Sequence, residues 1–85
     1  EMGSDRIITL FFELDDMPGV LSQVLKVLAS AHTNVLTINQ NIPVNNSANI
    51  TISFRTEGMS KSLDALLKKL SMTDGVKKVK IIAGE

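Results

Sequence analysis

The sequence predicts an α+β fold: one four-stranded antiparallel sheet with two helices on one face, in the order βαββαβ. Three observations carry that prediction. Apolar residues alternate with period two in Arg6–Leu14 and Ala48–Thr56, the signature of strands with one buried face. They recur at helical spacing after Pro18-Gly19 and again after Gly58-Met59-Ser60. Turn residues separate every such stretch, and each strand-like segment has a single apolar face, which suits an antiparallel sheet covered on one side.

Strand one is expected at about Arg6 to Leu14, with Ile8, Leu10, Phe12 and Leu14 inward. Asp15-Asp16-Met17-Pro18-Gly19 then turns the chain, and Val20, Leu21, Val24, Leu25, Val27, Leu28 and Ala31 define helix one, about Gly19 to His32. Thr33-Asn34 closes it with a polar turn. Strand two is expected at Val35 to Ile42, where Pro43 blocks the ladder and Val44-Asn45-Asn46-Ser47 turns. Strand three, Ala48 to Thr56, places Ala48, Ile50, Ile52 and Phe54 on one face. Gly58-Met59-Ser60 interrupts the pattern, with Ser60 as the expected N-cap of helix two, whose apolar stripe is Leu63, Leu66, Leu67 and Leu70. Gly75 suits a left-handed helix stop. Strand four, Val76 to Ala83, turns Val79 and Ile81 inward and Lys78 and Lys80 outward. Right-handed crossovers arrange these elements as a ferredoxin-like sandwich, with strands one and three central and strands two and four at the edges.

Composition narrows the function classes. Eighty-five residues make one domain with a thin core, since a chain this short buries roughly 60–65% of its unfolded surface. Nine basic and nine acidic residues cancel, which argues against a nucleic-acid partner. Cysteine is absent, so there is no disulfide, thiolate metal site or Cys nucleophile, and a cytoplasmic location fits. No apolar run reaches the ~20 residues of a membrane helix. No cofactor or metal is expected. The first residue, Glu1, is not an initiator Met, and residues 1–5 read as a tail of a domain excised from a longer chain.

The β1–α1 turn is the candidate ligand site. It ends a strand and starts a helix, whose first backbone N–H groups have no intrahelical acceptor and suit a carboxylate. Gly19 admits close approach of a ligand to the backbone. Asp15, Asp16 and Asn34 offer acceptors for an ammonium, and Met17, Leu21 and strand two offer apolar walls. The same two aspartates are equally well read as helix caps, and Asn34 as a turn residue. His32, the single histidine, suits the C-terminal end of helix one. Strand two carries no charged residue, so its edge is open to pairing with a second copy.

The ordered set of strand, acidic pair, Pro18-Gly19-Val20-Leu21, amphipathic helix and a second strand opening Asn34-Val35 resembles the ACT domain, over residues 6–83. ACT domains bind amino acids and regulate metabolic enzymes. The resemblance implies a homodimer paired through strand two, with a free amino acid, aromatic or branched, at the interface. It implies contacts from Asp16, Met17, Gly19, Val20 and Leu21 of the turn, and from Asn34, Val35 and Leu36 of the other subunit's strand two.

Serine-responsive members carry Asn where this chain has Asp16, whose charge opposes a carboxylate. Phenylalanine-responsive domains of prephenate dehydratases carry Gly-Ala-Leu and Glu-Ser-Arg-Pro. Here these are Gly19-Val20-Leu21 and Gln40-Asn41-Ile42-Pro43, so the Glu has become Gln40 and the Arg has become Ile42. That leaves two readings, a retuned amino-acid site or a ligand-free structural dimerisation module. Leu36 to Pro43 further resembles strand two of small bacterial two-domain proteins linked to phenylalanine biosynthesis and sometimes labelled chorismate mutase. Catalysis is not expected from this domain: that reaction needs several cations around a dianion. Only Arg6 and Arg55 supply guanidinium groups, and neither stands near a recognisable pocket in the sequence. A nucleic-acid-binding sheet would need aromatics on its open face, where only Phe11 stands.

Overall fold

The computed structural model describes residues 5–84. Of the expected tail, residues 1–4 lie outside these, and Asp5 is held by an ion pair to Arg55 at 2.8 Å. The elements follow the expected order: β1 (Ile7–Asp15), α1 (Val20–Ser30), β2 (Asn34–Gln40), β3 (Ser47–Arg55), α2 (Leu63–Ser71) and β4 (Val76–Gly84). The sheet order is β2-β3-β1-β4, all antiparallel. The central and edge strands are therefore those the ferredoxin-like arrangement predicts.

Burial of β1 alternates residue by residue, because the helices cover one face only. Ile8, Leu10, Phe12 and Leu14 lie opposite Phe54, Ile52, Ile50 and Ala48 across the β1–β3 ladder. Val20, Val24 and Leu28 of α1 and Leu66 and Leu70 of α2 close over these rows. The outer face is polar. Thr9 and Ser53 hydroxyls share a hydrogen bond of 2.7 Å there, and the Lys80 ammonium lies 5.8 Å from the centre of the half-buried Phe11 ring.

Three details depart from the sequence-based expectations. Helix two is capped by Ser62, not Ser60: the Ser62 hydroxyl accepts from the Ala65 N–H at 3.1 Å. The Ser60 N–H donates to the Ala31 carbonyl, tying the loop to the end of α1, and the helix starts two residues later than expected. Strand two runs from Asn34 to Gln40 and stops two residues short of the expected Ile42. It has an irregularity between Val35 and Thr37 where Leu36 is the extra residue. Ile81 has the expected register, opposite Leu10, yet is 44% exposed. It lies on an edge strand, beyond full cover by the helix layer.

Candidate functional site

The turn after β1 is built by the chain on both sides of it. The Asp15 N–H donates to the Gly75 carbonyl at 2.8 Å, and the Asp16 N–H to the Asn46 carbonyl at 2.9 Å. The Met17 N–H closes on the Asp15 carbonyl, and the Val20 N–H on the Met17 carbonyl. Pro18 has no N–H to place. Gly19 is the N-cap of α1 with φ +88°, a conformation L-residues resist, and open space surrounds it. No side chain caps the helix, and no acidic residue stands in its first turn. Asp15 and Asp16 thus do not act as caps; Asp15 instead faces the Lys77 ammonium at 3.5 Å. The amides of Gly19, Leu21 and Ser22 keep no acceptor among the described residues. These free donors, at the positive end of an eleven-residue helix, suit a carboxylate.

From Gly19 a groove of about 560 Å³ runs between α1, at Gln23 and Val27, and the end of α2, at Met72, Thr73 and Asp74. Asp74 lines the same groove as Gly19 and brings a carboxylate acceptor to it. Sequence reasoning missed this: Thr73-Asp74-Gly75 reads only as a helix stop, and nothing local places it beside Gly19. Of the residues singled out in the turn, Asp16 and Met17 are exposed, Met17 at 64%. Val20 belongs to the core, and Leu21 packs against it. Asp16, Met17, Gly19, Val20 and Leu21 therefore form one contiguous unit in which the backbone does the presenting.

Asn34, Val35 and Leu36 are not brought to that unit within one chain. Asn34 pairs with Arg55, and Arg55 with Ile7, at the opposite end of β1 from Asp15. Eight residues of strand separate the two ends, about 26 Å. Along the open edge of β2, Leu36 and Ile38 are each 42% exposed. His32 takes φ +59° just past α1, a position where glycine is favoured. Among the described residues no cluster of His, Cys, Asp or Glu could hold a metal ion. No helix among them is long and apolar enough to cross a membrane.

Comparison with known proteins agrees with this fold. The family model of the ACT domain matches residues 8–71. A UPF0735 ACT domain-containing protein of Caldicellulosiruptor saccharolyticus is 45% identical over all 85 residues, which span 57% of that protein. One from Carboxydothermus hydrogenoformans is 51% identical over 79 residues, 93% of this chain and 54% of that protein. The chain thus spans little more than half the length of these relatives. Among solved structures, the ACT domain from the GTP pyrophosphokinase of Chlorobium tepidum superposes with a TM-score of 0.73 at 21% identity, covering 93% of this chain and 100% of that one. The ligand-free regulatory subunit of aspartate kinase from Thermus thermophilus gives 0.65 at 21%, covering 91% of this chain and 50% of that one. The relatives' names lend no support to the chorismate mutase and phenylalanine link that strand two suggested. With the turn, the helices and three of the four strands inside the matched span, the chain belongs to the ACT domain family.

Proposed function

We propose that this domain is an amino-acid sensor whose ligand site is completed by a second copy of the chain. ACT domains are generally regulatory amino-acid-binding modules, not catalysts. The observation that carries the reading is the uncapped start of α1: three free amides at an αL glycine, with no acidic side chain in the first turn to compete for them. An α-carboxylate satisfies those donors. The exposed Met17 and the apolar residues of β2 favour an aromatic or branched side chain over a polar one.

Pairing of two β2 edges explains how strand two reaches the turn. β2 has no charge along its length and no partner on its outer side. Two-fold antiparallel pairing centred near the middle of β2 brings Asn34 of the partner subunit toward the end of β2 that leads into Asn41. Asn41 starts the loop whose Asn46 carbonyl binds the Asp16 N–H. The residues that lie about 26 Å apart in one chain then approach each other between two. Ligand occupancy would favour one subunit arrangement over another, and attached segments would read that shift.

The test is isothermal calorimetry against Phe, Tyr, Trp, Ile, Val, Leu and Ser, with mass measured by light scattering in the same buffer. Saturable binding of one apolar amino acid to a dimer supports the sensor. A dimer that binds none of the seven points to a ligand-free dimerisation module, the reading that Gln40 and Ile42 favour by replacing the Glu and Arg of the phenylalanine-responsive pattern.

A further inference from the structure

We propose that the groove at the other end of the sheet, between Arg6 and Lys61, binds a small organic anion: a carboxylate with an apolar tail and no ammonium group. It lies at the end of β1 remote from the same chain's Gly19 turn.

Arg6 immediately precedes β1 and continues the row Ile8, Leu10, Phe12 and Leu14, which faces the helices. Thr56 continues the matching row of β3. The two backbones are clasped: the Thr56 N–H donates to the Arg6 carbonyl at 2.9 Å, and the Arg6 N–H to the Thr56 hydroxyl at 2.9 Å. Opposite them, Met59, Lys61 and Leu63 lead into α2. These five residues line a groove of about 470 Å³, within the range of small-molecule sites. Met59 and Leu63 rest on the core and form an apolar floor.

The charge in this groove is one-sided. Among the described residues no carboxylate lines it. The two ion pairs among the described residues, Arg55–Asp5 and Lys77–Asp15, use neither Arg6 nor Lys61. Asp64 sits in the first turn of α2 and Glu57 in the preceding loop, both exposed and both outside the lining. Two cations facing a shared space without a counter-charge repel, and an anion between them removes that repulsion. The planar guanidinium of Arg6 suits a two-pronged contact with a carboxylate. A zwitterionic amino acid would bring its ammonium to two cations and no acid, so the groove selects against it. An anion without an apolar tail would leave Met59 and Leu63 uncovered.

The test is an amide NMR titration of the domain with 4-methyl-2-oxopentanoate, leucine and inorganic phosphate in turn. The oxo acid should give saturable shifts at Thr56, Met59, Lys61 and Leu63. Leucine should leave those amides unmoved, and phosphate should bind more weakly. Arg6→Gln and Lys61→Gln should each weaken oxo-acid binding about tenfold, with unchanged unfolding midpoints. If one variant does not fold, the other decides. Non-saturating shifts, equal response to leucine, equal affinity for phosphate, or retained binding in both variants would each overturn the assignment.

Discussion

Gly75 and Gly19 share a backbone conformation and differ in what surrounds them, so substituting each by alanine separates strain from steric clash. Gly75 has φ +90° and Gly19 φ +88°. A Cβ on Gly19 meets nothing within 4 Å, whereas a Cβ on Gly75 falls 2.7 Å from Cγ2 and 2.8 Å from Cγ1 of Val20. Val20 is the first residue of α1 and part of the core, so it has no free direction of retreat. Gly19→Ala should therefore cost the left-handed strain alone, about 1–2 kcal/mol. Gly75→Ala adds overpacking of a filled site, typically ~1–3 kcal/mol, for a total of about 2–5 kcal/mol. In a domain of this size that lowers the melting temperature by roughly 10–30 °C. Urea unfolding followed by circular dichroism gives both values. Removing the obstacle should recover part of the loss: Gly75→Ala combined with Val20→Ala should be less destabilising than the sum of the two by about 1 kcal/mol or more. Equal losses for the two glycines, or strict additivity in the double-mutant cycle, would refute the account of how β4 and α1 are joined behind the turn.

Other substitutions probe the remaining assignments. His32→Gly should raise stability by about 1 kcal/mol, because φ +59° strains a residue with a Cβ; thermal unfolding checks the sign. Ser62→Ala should lower stability by ~1 kcal/mol and Ser60→Ala by less, since only the Ser62 hydroxyl caps α2. Ile38→Lys places a charge on the open β2 edge at a half-exposed position. The fold should persist while light scattering shows monomers.

The topology was legible because the period of the apolar residues reports which face is covered. Ile8 to Leu14 and Ala48 to Phe54 alternate without a break, and both proved to be central strands whose rows interlock. Where the alternation depends on tertiary partners, the sequence ran out. The irregularity at Leu36 arises from how β2 meets β3, and Leu36 and Ile38, which alternation alone would set on one face, are each 42% exposed. Ser60 and Ser62 are equally good caps by residue type, and only the folded chain distinguishes them: the Ser62 hydroxyl accepts from the Ala65 N–H, while the Ser60 N–H binds the Ala31 carbonyl. The turn was legible from Pro18-Gly19 followed by a helical stripe. Its neighbours Gln23 and Asp74 were not, since they come together only when α1 and α2 pack. The sequence set Arg6 near no pocket, and the structure corrects this: Arg6 lines a groove that exists only because the loop before α2 returns across it.

Subunit complementation tests the shared amino-acid site most directly. Gly19→Ala damages the turn and Asn34→Ala damages strand two, so each homodimer should bind the identified amino acid weakly or not at all. In an equimolar re-equilibrated mixture, half of the dimers pair one variant with the other, and each such dimer holds one undamaged site. Calorimetry should then show about one quarter of the wild-type stoichiometry at wild-type affinity. No recovery on mixing, or full binding by the Asn34→Ala homodimer, would contradict a site shared between two copies of the chain.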